Sequence, residues 1–267
     1  MRNEKLKIGV FDSGLGGLTV VKALTQVIQN AHIYYVADTK NAPYGEKTPE
    51  EIRCYALGIT QYLIKKHRVD AVILACNTAT SFAIKKLREM YPNLIIIGTE
   101  PGVKPAIEKT QTGNIGIMAT PATLKSQKYK NLVQNLTKEH EVCFVEQACP
   151  GLVEQIEKGE ISSDKTKILL EQWLEPMMKS SVDTLVLGCT HYPLVSSLIK
   201  DITPDIILIQ TGKAIAKRLL ALASEKGYQN TGSVYLDVFT TGDINTLLAS
   251  KILEQKIGIK SISIDYS

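Results

Sequence analysis

Cys76 and Cys189 each end a short aliphatic run, and each is followed by residues that open a helical stretch. A thiol placed there lies near backbone N–H groups and the positive end of a helix dipole, which favours the thiolate. An unperturbed cysteine has a pKa of about 8.5, so poising it near 7 recovers only about 2 kcal/mol at neutral pH. Enzymatic accelerations require about 8–23 kcal/mol, so other groups must also stabilise charge in the transition state. Two thiols flanking one small molecule can remove a proton from one face of a carbon and deliver another to the opposite face. Cysteine suits this two-base racemisation because thiol and thiolate interconvert near neutral pH, one residue starting as base and the other as acid. Two other readings stay open: buried inert thiols, and a redox or metal site built from Cys76, Cys189 and His191, for which no compact ligand spacing exists.

The remaining chemical candidates follow predicted strands. In FDSGLGGLTV, Asp12 and Ser13 end the first strand, and Gly14, Gly16 and Gly17 let the backbone turn closely around a small ligand. Asp12 is suited to an ammonium group or, equally, to a helix cap; the segment lacks a Walker lysine and the full G-x-G-x-x-G pattern. In NAPYGEKT, Tyr44 and Gly45 offer an exposed hydroxyl and a backbone amide for a carboxylate, or form an ordinary turn. Asn77 and Thr78 after Cys76 are capping types; Thr190 after Cys189 caps or lines its turn, and Pro193 suits a first helical position. His191, two residues beyond Cys189, can steer its proton or bind a carboxylate, or be a structural histidine. Glu154 in CPGLVEQIEKGE reads from the residues alone as a charge on a helix face.

These residues need strands and helices to bring them together, and the chain alternates the two throughout. Strands are expected at KIGVF, HIYYVA, DAVILA, LIIIG, NIGIMA, EVCFVE, TLVLG, DIILIQ, VYLDVF and KSISID, with amphipathic helical stretches between them. VDAVILACNT (69–78) aligns without gaps onto VDTLVLGCTH (182–191), and KIGVFDSGLGG resembles NIGIMATPATL at nearly the same offset. The expected fold is therefore α/β with two pseudo-symmetric lobes, each a mostly parallel sheet flanked by helices. Ligands of open α/β sheets bind beyond the carboxyl ends of strands, so facing lobes would put Cys76 opposite Cys189 on one cleft.

Composition narrows the function classes. The 267 residues are 44% hydrophobic and 22% charged, with a mean hydropathy of zero, which excludes a disordered chain. No apolar run approaches the roughly 18–20 residues of a membrane helix, and the apolar segment behind the charged N-terminus is shorter than a signal h-region, so a cytoplasmic location without membrane attachment is expected. The net charge of +4 is scattered over helix faces, which argues against a nucleic-acid partner. Five cysteines without a CxxC pair point to reduced thiols rather than a disulfide framework.

Taken together, FDSGLGGLTV, NAPYGEK, ACNTAT, GIMATPAT, CPGLVE, GCTHYPL and TTGD give a sequence that resembles the glutamate racemases of the cofactor-independent aspartate/glutamate racemase superfamily. The resemblance implies interconversion of L- and D-glutamate for peptidoglycan synthesis, no pyridoxal phosphate or other cofactor, no metal, and a homodimer. It implies that residues 1–98 with 211–267 form one lobe and residues 99–210 the other. By position, Cys76 and Cys189 would be the acid/base thiols for D- and L-glutamate. Asp12 would assist near Cys76, and Glu154 and His191 near Cys189. Substrate contacts would come from Asp12, Ser13, Tyr44, Gly45, Asn77, Thr78, Thr190 and His191, with Thr120 and Thr123 helping. His191 after Cys-Thr is the glutamate-type form; an aspartate racemase of the same superfamily and a non-catalytic amino-acid-binding protein are the competing expectations.

Overall fold

The computed structural model describes residues 4–266. Its strands are β1 (Leu6–Asp12), β2 (Ala31–Ala37), β3 (Ala71–Leu74), β4 (Ile95–Gly98), β5 (Asn114–Ala119), β6 (Cys143–Ala148), β7 (Thr184–Leu187), β8 (Ile207–Ile209), β9 (Val234–Thr240) and β10 (Ile259–Ser261). All ten expected strands have a counterpart, although of the last, KSISID, only Lys260 and Ser261 are in strand. Around them lie α1 (Leu18–Val27), α2 (Pro49–His67), α3 (Asn77–Met90), α4 (Val103–Ile107), α5 (Pro121–Lys125), α6 (Gln127–Glu139), α7 (Leu152–Glu157), α8 (Asp164–Lys179), α9 (Ser196–Ile202), α10 (Gly212–Glu225) and α11 (Thr246–Leu253). Among the described residues, no helix is long and apolar enough to cross a membrane.

The strands form two sheets, ordered β10-β9-β2-β1-β3-β4 and β6-β5-β7-β8, and every pairing is parallel. Helices cover both faces, so strand side chains are buried on either side and alternate between two cores. Ile8, Val10, Ile33 and Ile73 enter one core of the larger sheet, while Phe11, Val36, Val72 and Leu74 enter the other. In the smaller sheet, Met118, Leu185 and Leu187 face one side and Ile115, Ile117 and Val186 the other.

The repeat seen in the sequence is a repeat of topology. The order β2-β1-β3-β4 in the first sheet recurs as β6-β5-β7-β8 in the second, so β1 corresponds to β5 and β3 to β7. After completing the smaller sheet the chain returns, and β9 pairs along the whole of β2, from Ala31 with Val234 to Ala37 with Thr240.

Candidate active site

Each thiol stands two residues beyond the strand that carries it. The backbone just before each sulfur is tied to the central strand of its sheet by the same bond: Ala75 N–H donates to the Phe11 carbonyl at 2.9 Å, and Gly188 N–H to the Met118 carbonyl at 2.8 Å. These equivalent anchors bring both cysteines, each nearly buried, to the wall of one cavity.

Cys76 is itself the cap of α3, its sulfur accepting the Ala79 N–H at 3.4 Å. Asn77 and Thr78, expected as capping residues, are instead the first helical residues, because the thiol fills the capping position. The helix amides do favour a thiolate, but they lose to two larger effects. Burial and the neighbouring Asp12 carboxylate push the Cys76 thiol far up, so it rests protonated. Asp12 is also buried. Burial raises its pKa, opposed by His191, the Gly14 amide at 3.0 Å and the Thr190 hydroxyl, which donates to Oδ2 at 3.0 Å.

Cys189 has a different neighbour. His191 Nδ1 lies 3.7 Å from its sulfur, and His191 Nε2 lies 2.6 Å from Glu157 Oε1. Burial disfavours a charged imidazole, yet the bonds to Cys189 and Glu157 and their negative charge outweigh it and raise His191 well above 6.5. Burial likewise opposes ionisation of Glu157, but His191 and the Leu15 amide at 2.6 Å hold its carboxyl below the ordinary value. The Gly16 N–H also approaches Nε2, at 3.1 Å; a protonated ring gives that nitrogen to the nearer carboxylate. Pro193 is the second residue, not the first, of the 3-10 turn Tyr192–Val195 that follows.

The glycine-rich loop after β1 therefore packs closely around His191 and Glu157. A Cβ on Gly16 would stand 2.3 Å from His191 Nδ1. Glu157 was not among the sequence candidates. It lies on α7 one helical turn beyond Glu154, and that spacing was the only signal available, since both point to one side of the helix. Glu154 lines the cavity with Oε2 buried and unpartnered among the described residues.

Ser13, Gly45, Asn77, Thr78, Thr120 and Thr190 also line the cavity, and Asn77 Nδ2 is a second buried atom without a partner. Thr123 stands behind Thr120, and the hydroxyls of Thr78, Thr120 and Thr123 form a triangle with edges of 3.0, 3.2 and 2.9 Å that joins α3 to α5. Tyr44 departs from expectation: it is buried, and its hydroxyl donates to Asp38 at 2.5 Å, leaving its ring and the adjoining backbone to the cavity. The cavity volume is about 40 Å³. A larger space of about 580 Å³ lies behind the Cys189–Thr190 turn, between α1, α10 and α11, but only those two candidate residues reach it. Among the described residues, no group of three or more His, Cys, Asp and Glu side chains is arranged to hold a metal ion.

The sequence model of the Asp/Glu/hydantoin racemase family matches residues 8–219. A glutamate racemase of a Sulfurovum species is 59% identical over 98% of this chain and 99% of its own. Among solved structures, a glutamate racemase isoform from Bacillus anthracis superposes with a TM-score of 0.87 at 30% identity, covering 98% of each chain. The glutamate racemase from Francisella tularensis, solved in complex with D-glutamate, gives 0.84 at 28% identity, covering 97% of this chain and 98% of that one.

Proposed function

The chain belongs to the Asp/Glu/hydantoin racemase family, and from that premise we propose that Cys76 and Cys189 carry out a two-base proton transfer at Cα of glutamate. The enzyme is a cofactor-independent isomerase that interconverts L- and D-glutamate, and its product serves peptidoglycan synthesis. The observation that carries the two-base reading is that both thiols line one cavity.

With L-glutamate bound, the Cys189 thiolate takes the α-proton, and the electron pair left on Cα spreads into the α-carboxylate. The Cys76 thiol, which burial keeps protonated, gives its proton to the opposite face and becomes the thiolate. The reverse reaction starts from Cys76. His191, charged and 3.7 Å from the Cys189 sulfur, stabilises the thiolate from which the forward reaction departs. Without an electron sink, the carbanionic transition state depends on donors. Ser13, Asn77, Thr78 and Thr190 are the residues to supply them, each oxyanion-type donor being worth about 3–4 kcal/mol. Two cavity-lining atoms that are buried and unpartnered among the described residues, Asn77 Nδ2 and Glu154 Oε2, suit a carboxylate and an ammonium respectively.

A cavity of about 40 Å³ holds little more than one water and not an amino acid, so substrate entry requires the lobes to part. This reading takes residues 1–98 with 211–267 as one lobe and 99–210 as the other. It also includes a homodimer and a cytoplasmic location. The test is racemisation of L-glutamate followed by circular dichroism, in the wild type and in Cys76→Ala and Cys189→Ala. Activity in the wild type and its loss in both variants supports the assignment; retention in either refutes the pairing. The ratio of kcat/KM for glutamate and aspartate reads side-chain selectivity.

A further inference from the structure

The end of the chain leads back to the cavity. Beyond β10 it crosses α2 so closely that a Cβ on Gly58 would stand 2.8 Å from the Asp265 carbonyl oxygen and 3.2 Å from Tyr266 Cα. The Tyr266 ring meets Tyr55 edge-on at 5.3 Å, and Tyr55 in turn packs against Tyr44 at 5.6 Å. The Tyr266 hydroxyl donates to Asp38 Oδ1 at 2.5 Å. Asp38 is fully buried, and the donors around its carboxylate are neutral: the Asn41 amide, the Thr241 hydroxyl at 2.7 Å, Tyr266 and Tyr44. Tyr44 and Gly45 form part of the cavity wall, where Gly45 abuts Thr120, the cap of α5.

We propose that Tyr266 is a positioning residue for the substrate pocket, acting through Asp38 and Tyr55 to hold the 43–46 turn against the cavity. A buried carboxylate with only neutral donors depends on each of them, and losing one makes the others rearrange. Here Tyr44 is the member of the set that lines the cavity, so a shift of the cluster is passed on to its turn. The strap touches neither thiol, so it governs how well substrate is held and not the proton transfers. The inference rests on the racemase reading for its kinetic consequence, though not for its structural one.

Two variants test it. Tyr266→Phe removes the hydroxyl and keeps the ring. Gly58→Ala displaces the strap from beneath while favouring the helix it sits in, since alanine is the better helix former. In each, KM for glutamate rises about three- to tenfold while kcat changes by less than about twofold, the pattern of lost uniform binding. Iodoacetamide alkylation of Cys76 in the substrate-free protein, followed by peptide mass spectrometry, becomes faster in both. A Tyr266→Phe protein with wild-type KM and wild-type alkylation rate overturns the proposal. If that variant does not fold, wild-type values in Gly58→Ala overturn it instead. Faster alkylation in a protein that does not racemise glutamate would support the strap while sinking the functional reading.

Discussion

The two sulfurs occupy equivalent places in the fold but unequal electrostatic settings. Cys76 sits beside a buried carboxylate and keeps its proton, whereas Cys189 sits beside an imidazole held charged by Glu157. Replacing either cysteine with serine should lower kcat/KM by about 100-fold or more, the usual worth of a positioned acid or base, measurable by steady-state racemisation. Asp12 predicts a trade between stability and activity. Its burial raises its pKa, so at neutral pH the native state carries a carboxylate that burial disfavours. Asp12→Asn should melt higher, by about 2 °C or more, while turning over more slowly, as calorimetry and kinetics will show. His191 predicts a pH dependence. Its native pKa is raised above 6.5, so its contribution to stability is complete below that value and is lost as pH climbs through the raised native one. His191→Gln should therefore flatten the fall in melting temperature as pH rises above 6.5.

At the level of elements, the loop after β1 couples the two halves of the site. Leu15 N–H reaches Glu157, and Thr19 donates to the Thr190 carbonyl at 3.1 Å. Gly16→Ala should reduce kcat at least about tenfold with the far-ultraviolet dichroism unchanged, because a misplaced His191 costs orientation and not fold. The strands were legible in the sequence because sheets buried on both faces need continuous aliphatic runs, and the paired VD…C segments showed which strands correspond. Helix starts were harder to place, because capping depends on local side-chain geometry. The start of α3 was misplaced, because a cysteine is an uncommon cap and residue type alone favours Asn77 or Thr78. Within the site, the cysteines, Asp12 and His191 could be chosen from residue type and place. The partner of His191 could not, because choosing between Glu154 and Glu157 depends on the rotation of a helix only six residues long. Tyr44 was misjudged for a related reason: its partner Asp38 is close in sequence, but the pairing depends on a cluster completed by Thr241 and Tyr266 from the far end of the chain.

Across the whole molecule, a repeated α/β unit turns one strand-end position into two thiols on the wall of one cavity. Polar contacts seal the cleft between them: Thr78 to Thr120, Thr190 to Asp12 and Leu15 to Glu157. Such contacts exchange readily with water, so the substrate-free chain should sample a wider form that glutamate closes. Small-angle scattering should show a smaller radius of gyration with D-glutamate than without it; an unchanged radius would speak against lobe separation. The opposition of the sulfurs is tested most directly by running the first few per cent of L-glutamate racemisation in D₂O and locating the α-deuterium. With one base on each face, the D-glutamate formed carries solvent deuterium while the recovered L-glutamate still carries protium. Deuterium appearing in the recovered L-glutamate as fast as in the product would mean that a single group serves both faces, and would contradict the account.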